Sequence, residues 1–250
     1  MIHKVKYRIQ KLSGVVALLS AELVLILLFF FVALALLIVL IRQIFYHKQD
    51  TFDDAVFVFL SQHTNHTTTV VMQCITILGS HFFLIPAWLL VFSYYVVIKK
   101  DQWNFIKAAV IGVSNLLLMF GLKFLFNRPR PLIPLLKEVP GLSFPSGHAF
   151  MSLTFFGLII YGIYRHVAGK WLKWLAISML VIIILLIGLS RVYLRLHYAS
   201  DVIAGYCFGI VSLIILLWML RQIEKFNAKK IPWHLNVTKT GIDSALTKVS

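Results

Sequence analysis

The sequence predicts an all-α, polytopic membrane protein with six transmembrane helices and a functional site at their outer ends. Three observations carry this. Hydrophobic residues make up 60% of the 250 positions and charged residues 13%, whereas soluble domains carry roughly 25% charge. The apolar residues fall into six separate stretches, most of them near the roughly 20 residues that cross a bilayer core. Finally, much of the polar chemistry between those stretches is concentrated in three short clusters. Backbone groups in lipid must bond to one another, and helices satisfy them within each segment.

The six stretches are residues 14–41, 70–98, 105–126, 149–164, 171–189 and 202–220. The first follows Lys4, Lys6, Arg8 and Lys11 and superficially resembles a leader. Its apolar run is too long for one and lacks a small-residue cleavage site, so it reads as an uncleaved first span. The second contains Gly79, Ser80 and Pro86, which predicts a kink or a late start near Phe82. The fourth is short and extends through Ser146 and Gly147. Between the first two, residues 51–62 place Phe52, Val56, Phe57 and Leu60 at helical spacing, which fits either an interfacial amphipathic helix or a structured loop. The organisation expected is a basic cytoplasmic N-terminus (1–13), a six-helix membrane domain (14–220) and a basic cytoplasmic tail (221–250), polar and flexible beyond Ile231.

Lys and Arg number 24 against nine Asp and Glu, a net charge of +15. The basic segments are the N-terminus, the loop from Lys99 to Lys107, the loop from Arg165 to Lys173, and the tail. All four lie on one side of a six-span chain, so that side is cytoplasmic and so are both termini. The first loop on the opposite side contains Asp50, Asp53 and Asp54. Topology and acidic lipids therefore explain the charge, and no nucleic-acid-binding module is visible. Cys74 and Cys207 lie in apolar stretches and read as buried free thiols. Glu22 reads as snorkelling or bonded between helices. Asn65-His66-Thr67 matches a glycosylation acceptor, relevant only in a pathway that modifies it.

The three clusters fall at the outer helix ends. Lys123 closes the third span, with Arg128 and Arg130 beyond it among Pro129 and Pro131. A guanidinium presents a planar fork suited to phosphate oxygens and an ammonium a point charge, although cations at a lipid interface also simply snorkel. Ser146, Gly147 and His148 open the fourth span. A helix N-terminus attracts anions, and Gly147 lets a ligand approach the backbone. An ordinary Ser cap accounts for Ser146 but not for His148 in the first turn. Arg191 ends the fifth span, and His197 and Asp201 stand four residues apart at the start of the sixth. That spacing puts both side chains on one helical face. Asp201 could hold the proton of one ring nitrogen and leave the other free to attack phosphorus. The plainer alternative is an interfacial His–Asp pair that tethers two helices. Fixed cations, a helix opening and two histidines are together the equipment for gripping and transferring a phosphoryl group.

Written in order, the residues are Lys123-(six residues)-Arg130-Pro131, Pro145-Ser146-Gly147-His148, and Ser190-Arg191-(five residues)-His197-(three residues)-Asp201. This series resembles the signature of the type 2 phosphatidic acid phosphatase superfamily at every defining position. The resemblance implies an integral membrane phosphatase acting on a lipid phosphate or pyrophosphate, such as phosphatidic acid, phosphatidylglycerophosphate or undecaprenyl diphosphate. It implies His197 as nucleophile through a phosphohistidine, Asp201 as its orienting partner, and His148 as general acid and then base. Lys123, Arg130, Ser146, Gly147 and Arg191 would bind the phosphoryl oxygens. Catalysis is expected without metal or other cofactor, in a bacterial plasma membrane, with the site facing outward. The same intermediate would serve a lipid phosphotransferase. A non-enzymatic lipid carrier would need the cations but no nucleophile. Arg128 and Arg195 stand outside the signature and are expected on the solvated surface, or against a lipid headgroup.

Overall fold

A computed structural model describes residues 2–132, 134–135 and 141–230, with side chains between 21 and 226. Among the described residues every regular element is helical. Helix α1 (Ile2–Ile41) ends in a π-helical turn, Arg42–Tyr46. A short helix α2 (Thr51–Ser61) leads to α3 (His66–Ile77) and α4 (His81–Ser93), which ends in a second π-helical turn, Tyr94–Ile98. Then come α5 (Gln102–Phe126), α6 (Gly147–His166), α7 (Lys170–Tyr193) and α8 (Ala199–Lys230). Six helical stretches are long and apolar enough to cross a membrane, α3 and α4 together making the second. The chain is a multi-pass membrane protein. Its contacts divide it into Met1–Ile214 and Ile215–Ser250, and the second unit continues α8 as far as Lys230. The flexible tail expected beyond Ile231 lies outside the described residues.

The second span is broken, not kinked. Gly79 and Ser80 separate α3 from α4, and the break has a packing cause. A Cβ on Gly79 would come within 2.5 Å of Ile187 and 3.2 Å of the His148 ring. The junction can therefore pass close to α7 and α6 only as glycine.

Helices in lipid gain little by hiding apolar surface from one another, so they associate through close packing at small residues. Gly205 and Gly209 stand one turn apart on α8. A Cβ at Gly205 would lie 2.8 Å from the Ser146 carbonyl, and one at Gly209 would lie 2.8 Å from Leu153. Gly157 of α6 likewise approaches Leu213. On the other flank, Gly188 of α7 leaves room for the Tyr206 ring, whose hydroxyl donates to the Ile184 carbonyl at 2.5 Å. These contacts draw α6, α7 and the first part of α8 together. Above them Phe45, Phe126, Phe144 and Phe208 pack edge to face or tilted, around a fully buried Phe144.

Helix α2 is the first of the two alternatives for this segment, but Phe52, expected on its apolar face, is exposed. Asp53, Val56, Phe57 and Leu60 turn inward, while Phe52, Val58 and Phe59 stay exposed. Glu22 accepts a hydrogen bond from the Tyr164 hydroxyl, joining α1 to α6. Asn65 caps α3, its side chain accepting from the Thr68 N–H at 2.9 Å. The cysteines differ from expectation in one respect: Cys207 is buried but Cys74 is exposed, lying with Val70, Val71 and Ile77 on the exposed face of α3.

Candidate active site

The ends of α5 and α7 and the beginnings of α6 and α8 meet at one end of the bundle. Chain geometry brings them there in short steps. Helix α5 stops at Asn127, which takes a left-handed conformation and donates its N–H to the Lys123 carbonyl at 3.0 Å. The returning strand of loop is pinned by the Ser143 N–H to the Arg128 carbonyl at 2.8 Å. Ser146 caps α6, and its own N–H donates to the Asp201 carbonyl at 3.0 Å. After α7 the chain turns tightly through Arg195, which has positive φ, and the N–H groups of Leu196 and His197 both donate to the Arg191 carbonyl. The first turns of α6 and α8 are thus fixed to each other by backbone.

His197 is 1% exposed. Its Nδ1 lies 3.4 Å from Ser143 Oγ and 3.6 Å from Asp201 Oδ2. The Ser143 hydroxyl donates to Asp201 Oδ2, which also accepts the Tyr198 N–H at 2.9 Å. With its proton given to the carboxylate, Ser143 can only accept from His197. Nδ1 therefore carries the ring hydrogen, and Nε2 keeps its lone pair. Burial pulls the His197 pKa down to about 4, with Asp201 opposing and Arg191 and Arg130 assisting. The imidazole is thus neutral at physiological pH.

The cations converge on the same place. Lys123 lies close enough to Arg130, Arg191 and Asp201 to feel their charges, and His148 feels Arg191, His197, Arg130 and His81. Lys123 Nζ donates to the Leu142 carbonyl at 2.5 Å. Arg130 donates to the carbonyls of Gly141 and Leu196 at 3.2 and 3.1 Å, and burial lowers its pKa from the ordinary value. Arg191 Nη1 donates to Thr76 Oγ1 at 2.8 Å, while its buried Nε has no partner among the described residues. That orphan donor is the kind of group an incoming oxyanion can satisfy. Gly147 sits in the first turn of α6, with the Lys123 side chain 3.8 Å from where its Cβ would be. The Ser146 hydroxyl is fully buried and serves α6 as its cap, accepting from the Ala149 N–H at 3.5 Å. All eight residues singled out from the sequence therefore lie at this end of the bundle.

The expectation for Arg128 is corrected. Arg128 is 6% exposed, bound to Asp50, Asp53, Ser200 and Asp201. It is buried because those carboxylates arrive from α2 and α8 to neutralise it; against the cost of burial they raise its pKa. Arg195 is half-buried, its guanidinium 5.9 Å from the Phe57 ring centre. The sequence offered no sign that Asp53, in an acidic segment between the first two spans, would be buried. A cavity of about 700 Å³ bordered by Tyr95, Asn104, Ile159 and His166 opens at the opposite end of α4–α6 and holds none of the site residues.

A family model described as the PAP2 superfamily matches residues 104–225. The chain is 30% identical over 161 residues to phosphatidylglycerophosphatase B of Bacillus subtilis (strain 168), spanning 64% of this chain and 78% of that protein. Its fold is like that of a crystallised transmembrane PAP2-type phosphatidylglycerolphosphate phosphatase from Bacillus subtilis: TM-score 0.68 and 23% identity, over 82% of this chain and 98% of that one. It is also similar to Aquifex aeolicus LpxE, with a TM-score of 0.50 and 26% identity over 65% of this chain and 93% of that one.

Proposed function

The chain belongs to the PAP2 superfamily, and from that premise we propose that it is a bacterial plasma-membrane phosphatase hydrolysing a lipid phosphate or pyrophosphate at the outer face. The observation that carries the reading is a buried, neutral His197 whose Nδ1 faces Ser143 and Asp201 among Lys123, Arg130 and Arg191. His197 Nε2 attacks phosphorus, a P–N bond forms and the P–O bond to the lipid breaks. His148 gives its proton to the departing oxygen. It then takes a proton from water as that water cleaves the phosphohistidine and releases inorganic phosphate. Lys123, Arg130, Arg191 and the first-turn amide at Gly147 hold the phosphoryl oxygens. The Ser146 hydroxyl caps that turn and donates its own hydrogen to the same oxygens. Phosphoryl transfer depends mainly on positioning and charge stabilisation, and three fixed cations supply the charge that Mg²⁺ supplies in many kinases.

The catalytic unit is residues 14–220, between a basic N-terminus and a basic tail. The basic loops support cytoplasmic termini, and hence a site on the outside. Phosphatidylglycerophosphate is the leading substrate because a relative 30% identical carries that activity in its name. Phosphatidic acid and undecaprenyl diphosphate share the reacting group.

The test is phosphate release from these three lipids by purified protein in detergent with excess chelator, beside His197→Ala. Release that survives chelation and falls at least about 1,000-fold in the variant is the expected result. Full turnover by His197→Ala would sink the phosphohistidine. No release by folded wild type from any of the three would sink the hydrolase.

A further inference from the structure

Arg128 lies between Lys123 and Arg130 in sequence, yet its guanidinium is committed elsewhere. Nη1 donates to Asp201 Oδ1 and to Ser200 Oγ, each at 2.8 Å. Nη2 donates to Asp50 Oδ1 at 2.8 Å and Asp53 Oδ2 at 3.0 Å. The Tyr198 ring stacks on it, 4.0 Å from the guanidinium carbon to the ring centre. All four terminal N–H groups are therefore used inside the protein, which leaves no fork for a phosphate. An ammonium at the end of a lysine could not span these acceptors, whereas a planar guanidinium can.

Asp53 completes the arrangement from α2. Its Oδ1 accepts the Ser200 N–H at 2.8 Å and its Oδ2 the Ser200 hydroxyl at 2.6 Å, so it satisfies an amide in the first turn of α8. Asp201 is consequently held at both oxygens. Oδ1 is held by Arg128, while Oδ2 is held by Ser143 and Tyr198 and faces His197. A carboxylate with both oxygens engaged cannot rotate away from the imidazole it orients.

We infer that Arg128 is the positioning residue of the Asp201–His197 pair, and that α2 belongs to the active-site brace through Asp53. The inference rests on the reading of His197 as nucleophile. Arg128 touches neither the phosphoryl group nor the leaving oxygen; it acts through Asp201.

A double-mutant cycle in detergent tests this, using whichever of the three lipids the wild type turns over fastest. The proteins are wild type, His197→Ala, Arg128→Gln, Asp201→Asn and the Arg128→Gln/Asp201→Asn double variant. Arg128→Gln is expected to lower kcat at least about 10-fold with KM within about two-fold, and to cost less than about two-fold once Asp201 is already Asn. A wild-type kcat in Arg128→Gln, or an equal loss in both backgrounds, would overturn the inference while leaving the nucleophile intact. Turnover by His197→Ala would instead overturn the reading beneath it. Should Arg128→Gln lose its monodisperse folded form, Asp53→Asn gives the same readout. It loosens the α2 anchor that holds the Arg128 guanidinium against Asp201, and a kcat equal to wild type there would also overturn the inference.

Discussion

At the scale of single residues, protonation and hydrogen-bond geometry set the chemistry. His197 is pulled down to about 4 chiefly by burial, so it stays unprotonated across neutral and mildly acidic pH. The acidic limb that His197 contributes to kcat/KM is therefore expected near pH 4, and a limb near 6.5 for this group would contradict the buried, neutral imidazole. The stability consequence has a definite sign. The unfolded histidine binds its proton near 6.5 and the folded one only near 4, so stability falls as pH drops through that window and is unaffected above it. Ser143→Ala gives a second residue-scale prediction. It removes the hydroxyl that donates to Asp201 Oδ2 and lies beside His197 Nδ1. kcat should drop about 10- to 100-fold with little change in KM. An unchanged kcat would show that the ring holds its orientation without that oxygen.

At the scale of helices, the site is only as well placed as the close approaches that set the first turns of α6 and α8. Gly205→Ala would push a methyl against the Ser146 carbonyl, a backbone atom that cannot swing aside. Overpacking of this kind costs about 1–3 kcal/mol, and it should appear as a lower Tm together with a lower kcat, because the cap of α6 moves. Gly79→Ala acts from the α3–α4 break. Its Cβ would crowd Ile187 and the His148 ring, so acid–base catalysis should suffer more than lipid binding. Pre-steady-state measurement of phosphoenzyme formation and breakdown in this variant separates the two. An unaltered rate for both steps would mean that the break merely joins two helices.

For the molecule as a whole, the testable quantity is orientation. Basic residues flank one end of the spans and the candidate site lies at the other. Single cysteines at Lys48 and Lys100, both exposed, placed in a chain whose Cys74 and Cys207 are serines, report the two ends. In intact cells a membrane-impermeant maleimide should label position 48 and not position 100. The reverse pattern would put the active site in the cytoplasm and remove the outer-leaflet substrate.

The sequence by itself determined the six spans, the family and the eight candidate site residues. Long apolar runs, loop charge and motif spacing are local properties, readable one segment at a time. Lys123, Arg130, Arg191, His148 and His197 were legible because charge at membrane depth is costly and stands out. Tertiary structure alone decided the fates of Arg128 and Asp53. Each looks like a solvated loop charge until α2, the end of α5 and the start of α8 are brought together, when mutual neutralisation makes burial possible. It also decided that Ser143 gives its proton to Asp201, and that the break at Gly79, where the sequence already allowed a kink, lies against Ile187 and the His148 ring. These are facts of distance between residues far apart in the chain, and no local pattern encodes them.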